Sequence, residues 1–227
     1  LKFERILMTT VSSFPRTIKM FNQSMRTWLF DKMWIKSQIK DFMKIDEKKI
    51  FFSDHHLSHA ASSYFCSPFE DSAVVTFDGV GEWATTTVGY GSGSNISIDK
   101  EIRFPHSIGL LYSAFTAFLG FEVNEGEYKV MGMAPFGKPK YIDKVREVVK
   151  QFDDGSFWLN NKYFSFHNST NKSYTKKFEK LFGTPRQPEQ PFFTRETGYP
   201  SYFGDPANDM EKSIQNNQYY ADVASSI

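Results

Sequence analysis

The sequence predicts a mixed α/β (α+β) chain built around one stretch, residues 50 to 90. Three observations lead there. An apolar, β-prone run (KIFF, Lys49 to Phe52) passes into a small-residue run without Gly or Pro (LSHAASSYF), which suits a strand followed by a helix. SAVVTF (Ser72 to Phe77) and ATTTVGY (Ala84 to Tyr90) are β-branched runs on either side of an acidic glycine turn, DGVGEW. Helical apolar spacing dominates before and after this stretch.

Taken in order, Leu1 to Ser13 has no dominant period. From Pro15 a helical pattern begins, and Ile18, Phe21, Met25, Trp28 and Leu29 form a stripe expected to be buried. Met33 to Ile45 continues as a second helix, with Trp34, Ile35, Ile39, Phe42 and Met43 apolar. Lys36, Lys40 and Lys44 recur every fourth residue and read as a solvated face. Asp46 to Lys49 turns into the KIFF strand. Ser53 or Asp54 then caps a helix from about Leu57 to Cys66, since either side-chain oxygen accepts from orphan N–H groups. SAVVTF reads as a buried strand, and Gly79 and Gly81 let the backbone turn sharply after it.

Gly91 to Asn95 is a further turn, and ISIDKEIRF alternates as a strand. Ser107 caps a helix whose Ile108, Leu111, Tyr112, Phe115, Phe118 and Leu119 leave it apolar on most sides. Glu122 to Pro139 is rich enough in Gly and Pro to read as an irregular functional loop. Lys140 to Phe152 has helical spacing, and after DDGS the runs FWLN and KYFSF read as a hairpin. Ser173 to Phe182 is a short basic helix. Residues 183–208 hold five of the ten prolines and read as an irregular crossover, where Arg186 and Arg195 are candidates to face an anionic substrate. Met210 to Ile227 is helical by pattern.

The bulk numbers exclude several classes. The 227 residues carry 27 basic and 26 acidic side chains, a balance that gives no reason to expect nucleic acid or an anionic membrane as partner. Cys66 is the only cysteine, so there is no intrachain disulfide and no cysteine-based metal site, which fits a reducing, cytoplasmic compartment. No apolar run approaches the roughly 20 residues that span a bilayer. The first residue is Leu1 and the last residues read as helix, so the chain is expected to be a fragment.

The chemistry concentrates at the start of the central helix. His55 and His59 are four apart and share one helix face, a spacing at which two imidazoles bind one metal ion. A helix N-terminus also favours neutral imidazole. Such a pair arises by chance as well, and adjacent histidines also serve as caps. Asp78 offers a carboxylate to a metal, directly or through water. The glycine turn after it is either an anion nest for phosphate or an ordinary Asp-Gly hairpin turn. His106 follows a proline at the start of the next helix, where it either points into a cleft or caps the helix edge. Lys129 is the central cation of the Glu122 to Pro139 stretch, either suited to a phosphate or carbamoyl oxygen or an ordinary surface lysine.

HHLSHAASSY, FDGVGEWATT, FPHSIGLLYSAFTAFLGF and EYKVMGMAPFG, with YYADVASSI as a fifth block, together resemble the O-carbamoyltransferases of the NodU and cephalosporin/tobramycin carbamoyltransferase type. The resemblance is close from His55 to Gly137. It implies an actin-like ATPase (ASKHA, ribonuclease H-like) domain, incomplete here, similar to that of the threonylcarbamoyl-transferring tRNA-modification enzymes. Residues 1–140 would form a first lobe and 141–227 an insert and the start of a second lobe. A YrdC-like domain of longer family members would be absent.

The resemblance further implies transfer of a carbamoyl group from carbamoyl phosphate, through carbamoyl-adenylate made with ATP, to a hydroxyl of a sugar or secondary metabolite. It implies a metal beside the nucleotide, iron in relatives, though zinc or manganese suits the same ligands. By it, His55, His59 and Asp78 are the metal residues, with His56 either behind them or a cap. Asp78, Gly79, Gly81, Glu82, Lys129 and Gly132 are the cofactor contacts, Glu127 is a candidate beside them, and His106 and Lys129 are the catalytic candidates. A tRNA-modifying relative is the neighbouring alternative, disfavoured by the missing basic excess. A metal- or nucleotide-binding fragment without turnover is the alternative of another class, and the isolated chain is expected to show little or no transfer.

Overall fold

The computed structural model describes residues 2–12, 14–15, 17–169, 172–188, 190–204 and 210–227. They divide into two units, residues 1–108 with 166–171, and residues 109–165 with 172–227. Both mix helix and strand within the described residues, in agreement with the expected α/β class.

The first unit opens with α1 (Lys2–Ser12), α2 (Ile18–Phe30) and α3 (Ile35–Met43). Helical periodicity placed α2 and α3 correctly but not their burial. Ile18, Leu29, Trp34, Ile35, Phe42 and Met43 are exposed, and α3 buries no residue. An apolar stripe records a face that needs cover, and in this unit α2 packs against α1 and the 3₁₀ turn Lys32–Trp34 that follows it, leaving Ile18 and Leu29 exposed. The KIFF strand does not form. Glu47–Lys49 is one 3₁₀ turn started by Asp46, whose carboxylate accepts from the Lys48 N–H at 2.9 Å. Phe51 and Phe52 beyond it are 87% and 65% exposed. A β-prone run becomes a strand only when it pairs with an edge, and the sheet of this unit holds three strands without it.

That sheet is an antiparallel meander, β1 (Asp71–Phe77), β2 (Ala84–Ser92) and β3 (Asn95–Arg103), in the order β1-β2-β3. Val75 stands opposite Val88 and Phe77 opposite Thr86. β1 is not buried on both faces as SAVVTF suggested. Val74 and Thr76 point inward, whereas Val75 and Phe77 are exposed, the alternation of a half-covered antiparallel sheet. The inner face is covered by α4 (His55–Tyr64), which buries His56, Ala60 and Tyr64. Ala60, Tyr64 and Val74 form a small core with Ile96 packed on it. The Tyr64 hydroxyl donates to the Glu70 carbonyl at 2.5 Å, which pins the far end of α4.

The second unit is built on aromatic rings. α5 (Ile108–Phe118) buries Phe115 and Phe118, and α8 (Lys176–Phe182) buries Phe178 and Phe182. The Phe115 and Phe178 centroids are 5.0 Å apart, edge to face, a favoured arrangement. Between these helices lie α6 (Glu127–Met133), α7 (Ile142–Val148), β4 (Val149–Gln151) and β5 (Phe157–Leu159). The irregular loop expected over Glu122 to Pro139 therefore contains a helix. Gly126 and Gly137 flank α6 and its following 3₁₀ turn rather than interrupting them. The hairpin is also re-paired, since FWL joins β4 and not KYFSF.

α9 (Met210–Ala224) closes this unit. The chain at Gly137 lies so close to it that a Cβ there would stand 2.0 Å from the Ala221 carbonyl oxygen. Arg186 and Arg195 do not serve as open anion contacts. Arg186 is buried and donates to the Leu119 carbonyl at 3.3 Å, and Arg195 pairs with Glu211. Of the crossover, residues 189 and 205–209, Pro206 among them, lie outside the described residues. No helix among the described residues is long and apolar enough to cross a membrane.

Candidate metal centre

α4 begins at the histidines, so His55 and His59 project from the same side of its first turns. Their Nε2 atoms are 3.0 Å apart. Asp78 follows β1, and its Oδ2 lies 2.6 Å from His55 Nε2 and 4.0 Å from His59 Nε2. Two ligands held tetrahedrally at ~2.1 Å from one ion stand roughly 3.4 Å apart, a value these separations bracket. Among the described residues these three form a group able to hold a metal ion.

The donor set fits a cation better than it fits itself. His55 Nε2 faces both a carboxylate oxygen and another imidazole nitrogen, yet it carries at most one proton. That proton satisfies Asp78 or is split between two acceptors. Three lone-pair atoms meeting at one point is the arrangement that a divalent ion satisfies. Both imidazoles are exposed and Asp78 is half-buried, so further coordination positions face solvent. Sites that bind a reacting group keep such positions open.

Asp78 is held from three directions. Its N–H donates to the Thr85 carbonyl at 2.9 Å, and its own carbonyl accepts the Ser107 hydroxyl at 2.9 Å. The Gly79 N–H donates to Oδ1 at 2.7 Å, leaving Oδ2 toward the histidines. Ser107, expected to cap the helix after it, thus bonds the Asp78 backbone.

The anion nest expected at the glycine turn is not open at Gly79 and Gly81. The Gly79 N–H is taken by Asp78, and the Gly81 N–H donates to the Ala84 carbonyl at 3.0 Å. Neither glycine has positive φ. Gly81 is needed for proximity instead, because a Cβ there would stand 2.9 Å from His56 Cδ2 and 3.1 Å from His55 Cδ2.

His56 is 5% exposed. Its Nδ1 lies 2.6 Å from Thr76 Oγ1, its Nε2 lies 2.8 Å from the Ala84 carbonyl, and Thr76 and Thr87 share a 2.6 Å hydroxyl contact. These inward threonines were missed in the sequence, where hydroxyls at core-facing strand positions were the available signal. Beside His55 a recess of about 260 Å³ is lined by Glu82, Trp83, Ile98 and Glu101. Arg103 lies 5.0 Å from the Trp83 ring centroid and its Nε donates to Glu101 at 2.6 Å.

His106 belongs to the same unit but not to the converging group. Its N–H donates to the Arg103 carbonyl at 3.1 Å, and its carbonyl accepts from Thr85 at 2.5 Å. Glu127, Lys129 and Gly132 lie on α6, in the second unit. Glu127 is structural there, its Oε1 accepting the Ser113 hydroxyl at 3.1 Å and the Asn124 N–H at 3.0 Å. Gly132 is exposed, and so is Lys129, whose ammonium lies 5.9 Å from the Tyr128 ring centroid.

Residues 2–217 match the family model described as carbamoyltransferase N-terminus. The chain is 45% identical over 203 residues to the uncharacterized protein sll1178 of Synechocystis, covering 86% of this chain and 33% of that relative. It is 36% identical over 115 residues to the nodulation protein NolNO of Sinorhizobium fredii, covering 50% of this chain and 17% of the relative. It is 40% identical over 101 residues to the nodulation protein NolO of Bradyrhizobium diazoefficiens, covering 44% and 17%. The chain thus spans a third or less of the length of these relatives.

Proposed function

The chain belongs to the carbamoyltransferase N-terminus family, and on that premise we propose that it supplies the metal-holding part of an O-carbamoyltransferase. Carbamoyl phosphate is the donor and ATP the activating co-substrate. Water cleaves carbamoyl phosphate to carbamate and phosphate, and a carbamate oxygen then displaces pyrophosphate from the α-phosphorus of ATP to give carbamoyl-adenylate. The hydroxyl oxygen of a small acceptor, a sugar or secondary metabolite, then attacks the carbamoyl carbon, its proton leaves, and AMP departs. This reading takes the domain as an incomplete ASKHA-type fold and places the reaction in the cytoplasm, where ATP and carbamoyl phosphate are made.

The observation that carries the proposal is the meeting of His55 Nε2, His59 Nε2 and Asp78 Oδ2 within 4.8 Å of one another. These residues would hold a divalent iron, zinc or manganese ion, whose chemistry is Lewis-acid polarisation of a carbonyl or phosphoryl oxygen. Glu82 offers a carboxylate in the recess beside His55. Lys129, on α6 of the second unit, is an exposed cation of the kind that suits a phosphate oxygen.

The test is carbamoyl transfer by the full-length parent, wild type and Asp78→Asn, given ATP, carbamoyl phosphate and a panel of hydroxylated acceptors. Carbamoylated product from wild type, with at least ~100-fold less from the variant, is the expected result, since the ligand carboxylate is lost. Equal turnover by the variant, or turnover only with tRNA, would contradict it.

A further inference from the structure

We propose that His56 is the positioning residue of the candidate metal centre. Through Thr76 and the Ala84 carbonyl it fixes both the rotation of α4 and the loop carrying Asp78, so that the three ligand atoms meet. The inference rests on the metal reading above.

The hydrogen bonds define the anchor. The Ala84 carbonyl only accepts, so His56 Nε2 carries the proton across their 2.8 Å contact. In the neutral ring Nδ1 then accepts, so the Thr76 hydroxyl donates to it at 2.6 Å. Thr76 Oγ1 in turn accepts the Thr87 hydroxyl at 2.6 Å. Each donor has one acceptor in this chain, and the chain holds in one tautomer only.

The same Ala84 carbonyl accepts the Gly81 N–H at 3.0 Å. Helix and loop therefore meet on one oxygen. Asp78 lies on that loop and the metal histidines lie on that helix, so His56 couples the two halves of the ligand set.

The inward stripe of α4 is His56, Ala60 and Tyr64. Ala60 has no directional bond to offer, and the Tyr64 hydroxyl acts at the opposite end. Asp54 at the start of α4 makes no side-chain cap. His56 is thus the directional anchor where the ligands lie. With side chains reaching about 5–6 Å from a helix axis, a 10° rotation of α4 moves a ring nitrogen by about 1 Å. A working site tolerates about half of that.

The test titrates the full chain with Co²⁺ alone and follows the visible d–d absorption, with helix content read by circular dichroism. The variants are His56→Gln, Thr76→Val, Thr76→Ser and the His56→Gln/Thr76→Val double. Both His56→Gln and Thr76→Val should stay folded and bind Co²⁺ about 10- to 100-fold more weakly, as expected for partners that orient ligands. The double should be no worse than either single, and Thr76→Ser, which keeps the hydroxyl, should bind as wild type. Ring ¹⁵N shifts should report His56 as the Nε2–H tautomer. Unchanged Co²⁺ binding by the folded singles, or an Nδ1–H tautomer, would overturn this inference alone. A wild-type chain that binds no Co²⁺ would overturn the metal reading and this inference with it. If His56→Gln fails to fold, the contrast between Thr76→Val and Thr76→Ser decides.

Discussion

Gly81 lies against His56 so closely that an added methyl would stand 2.9 Å from its Cδ2. The next-nearest imidazole, His55, would be 3.1 Å away. The loop after β1 therefore rests on the two rings, and its bare backbone is part of their packing. Gly81→Ala should push loop and rings apart. The expected cost is ~1–3 kcal/mol of stability, the usual range for overpacking, with weaker metal binding alongside. Thermal unfolding and a metal titration of the same sample check both. A variant with unchanged melting and binding would show that the loop shifts without consequence.

In the second unit, Asp222 is the group that answers to acid. Burial alone would raise its carboxyl pKa. The Lys140 ammonium at 2.6 Å, the Lys138 N–H at 2.9 Å and the Gln218 amide at 3.0 Å outweigh it and hold the value below the ordinary carboxylate range. A depressed pKa contributes stability that is present above the unfolded value near ~3.9 and lost as pH falls through the folded one. Wild type should therefore lose stability below about pH 4, and Asp222→Asn should lack this component. At neutral pH Asp222→Asn should be less stable by ~2 kcal/mol, since bonds to a charged acceptor weaken. Denaturant unfolding at pH 3.5 and 7 measures both.

Tyr219 sets the alkaline limit of the same unit. Burial, reinforced by Tyr141 and Tyr220, pushes its phenol up to about 12. Its hydroxyl donates to the Phe182 carbonyl, a bond that ionisation removes. A raised pKa contributes stability that is complete below the unfolded value near ~10 and lost as pH rises toward the folded one. Stability should fall between about pH 10 and about pH 12. Tyr219→Phe should flatten that fall, at a cost of ~1 kcal/mol at neutral pH for the lost hydrogen bond. Equal alkaline slopes for the two proteins would contradict the assignment.

The sequence made elements legible where periodicity and composition agreed. α4, the three strands, α5 and α9 all follow from runs without competing signals. The errors share a cause. Apolar spacing in α2 and α3 and β propensity in Lys49 to Phe52 describe what a segment would do with a partner, and the partner is not local. α6 was hidden because glycine content was read as disruption, although Gly126 and Gly137 flank the regular structure and Gly132 sits exposed within it. At the site, the spacing of His55 and His59 and the acidic end of β1 identified the residues that meet. The support around them was not legible, because His56 looks like a cap until Thr76 and Ala84 are placed beside it.

The most direct measurement is metal content of the purified chain after dialysis, by elemental analysis, beside a His55→Ala/His59→Ala variant. The account predicts close to one divalent ion per wild-type chain and near none in the variant, with the fold retained in both. A wild-type chain that stays metal-free after exposure to iron, zinc and manganese, or a variant that retains as much metal as wild type, would contradict it.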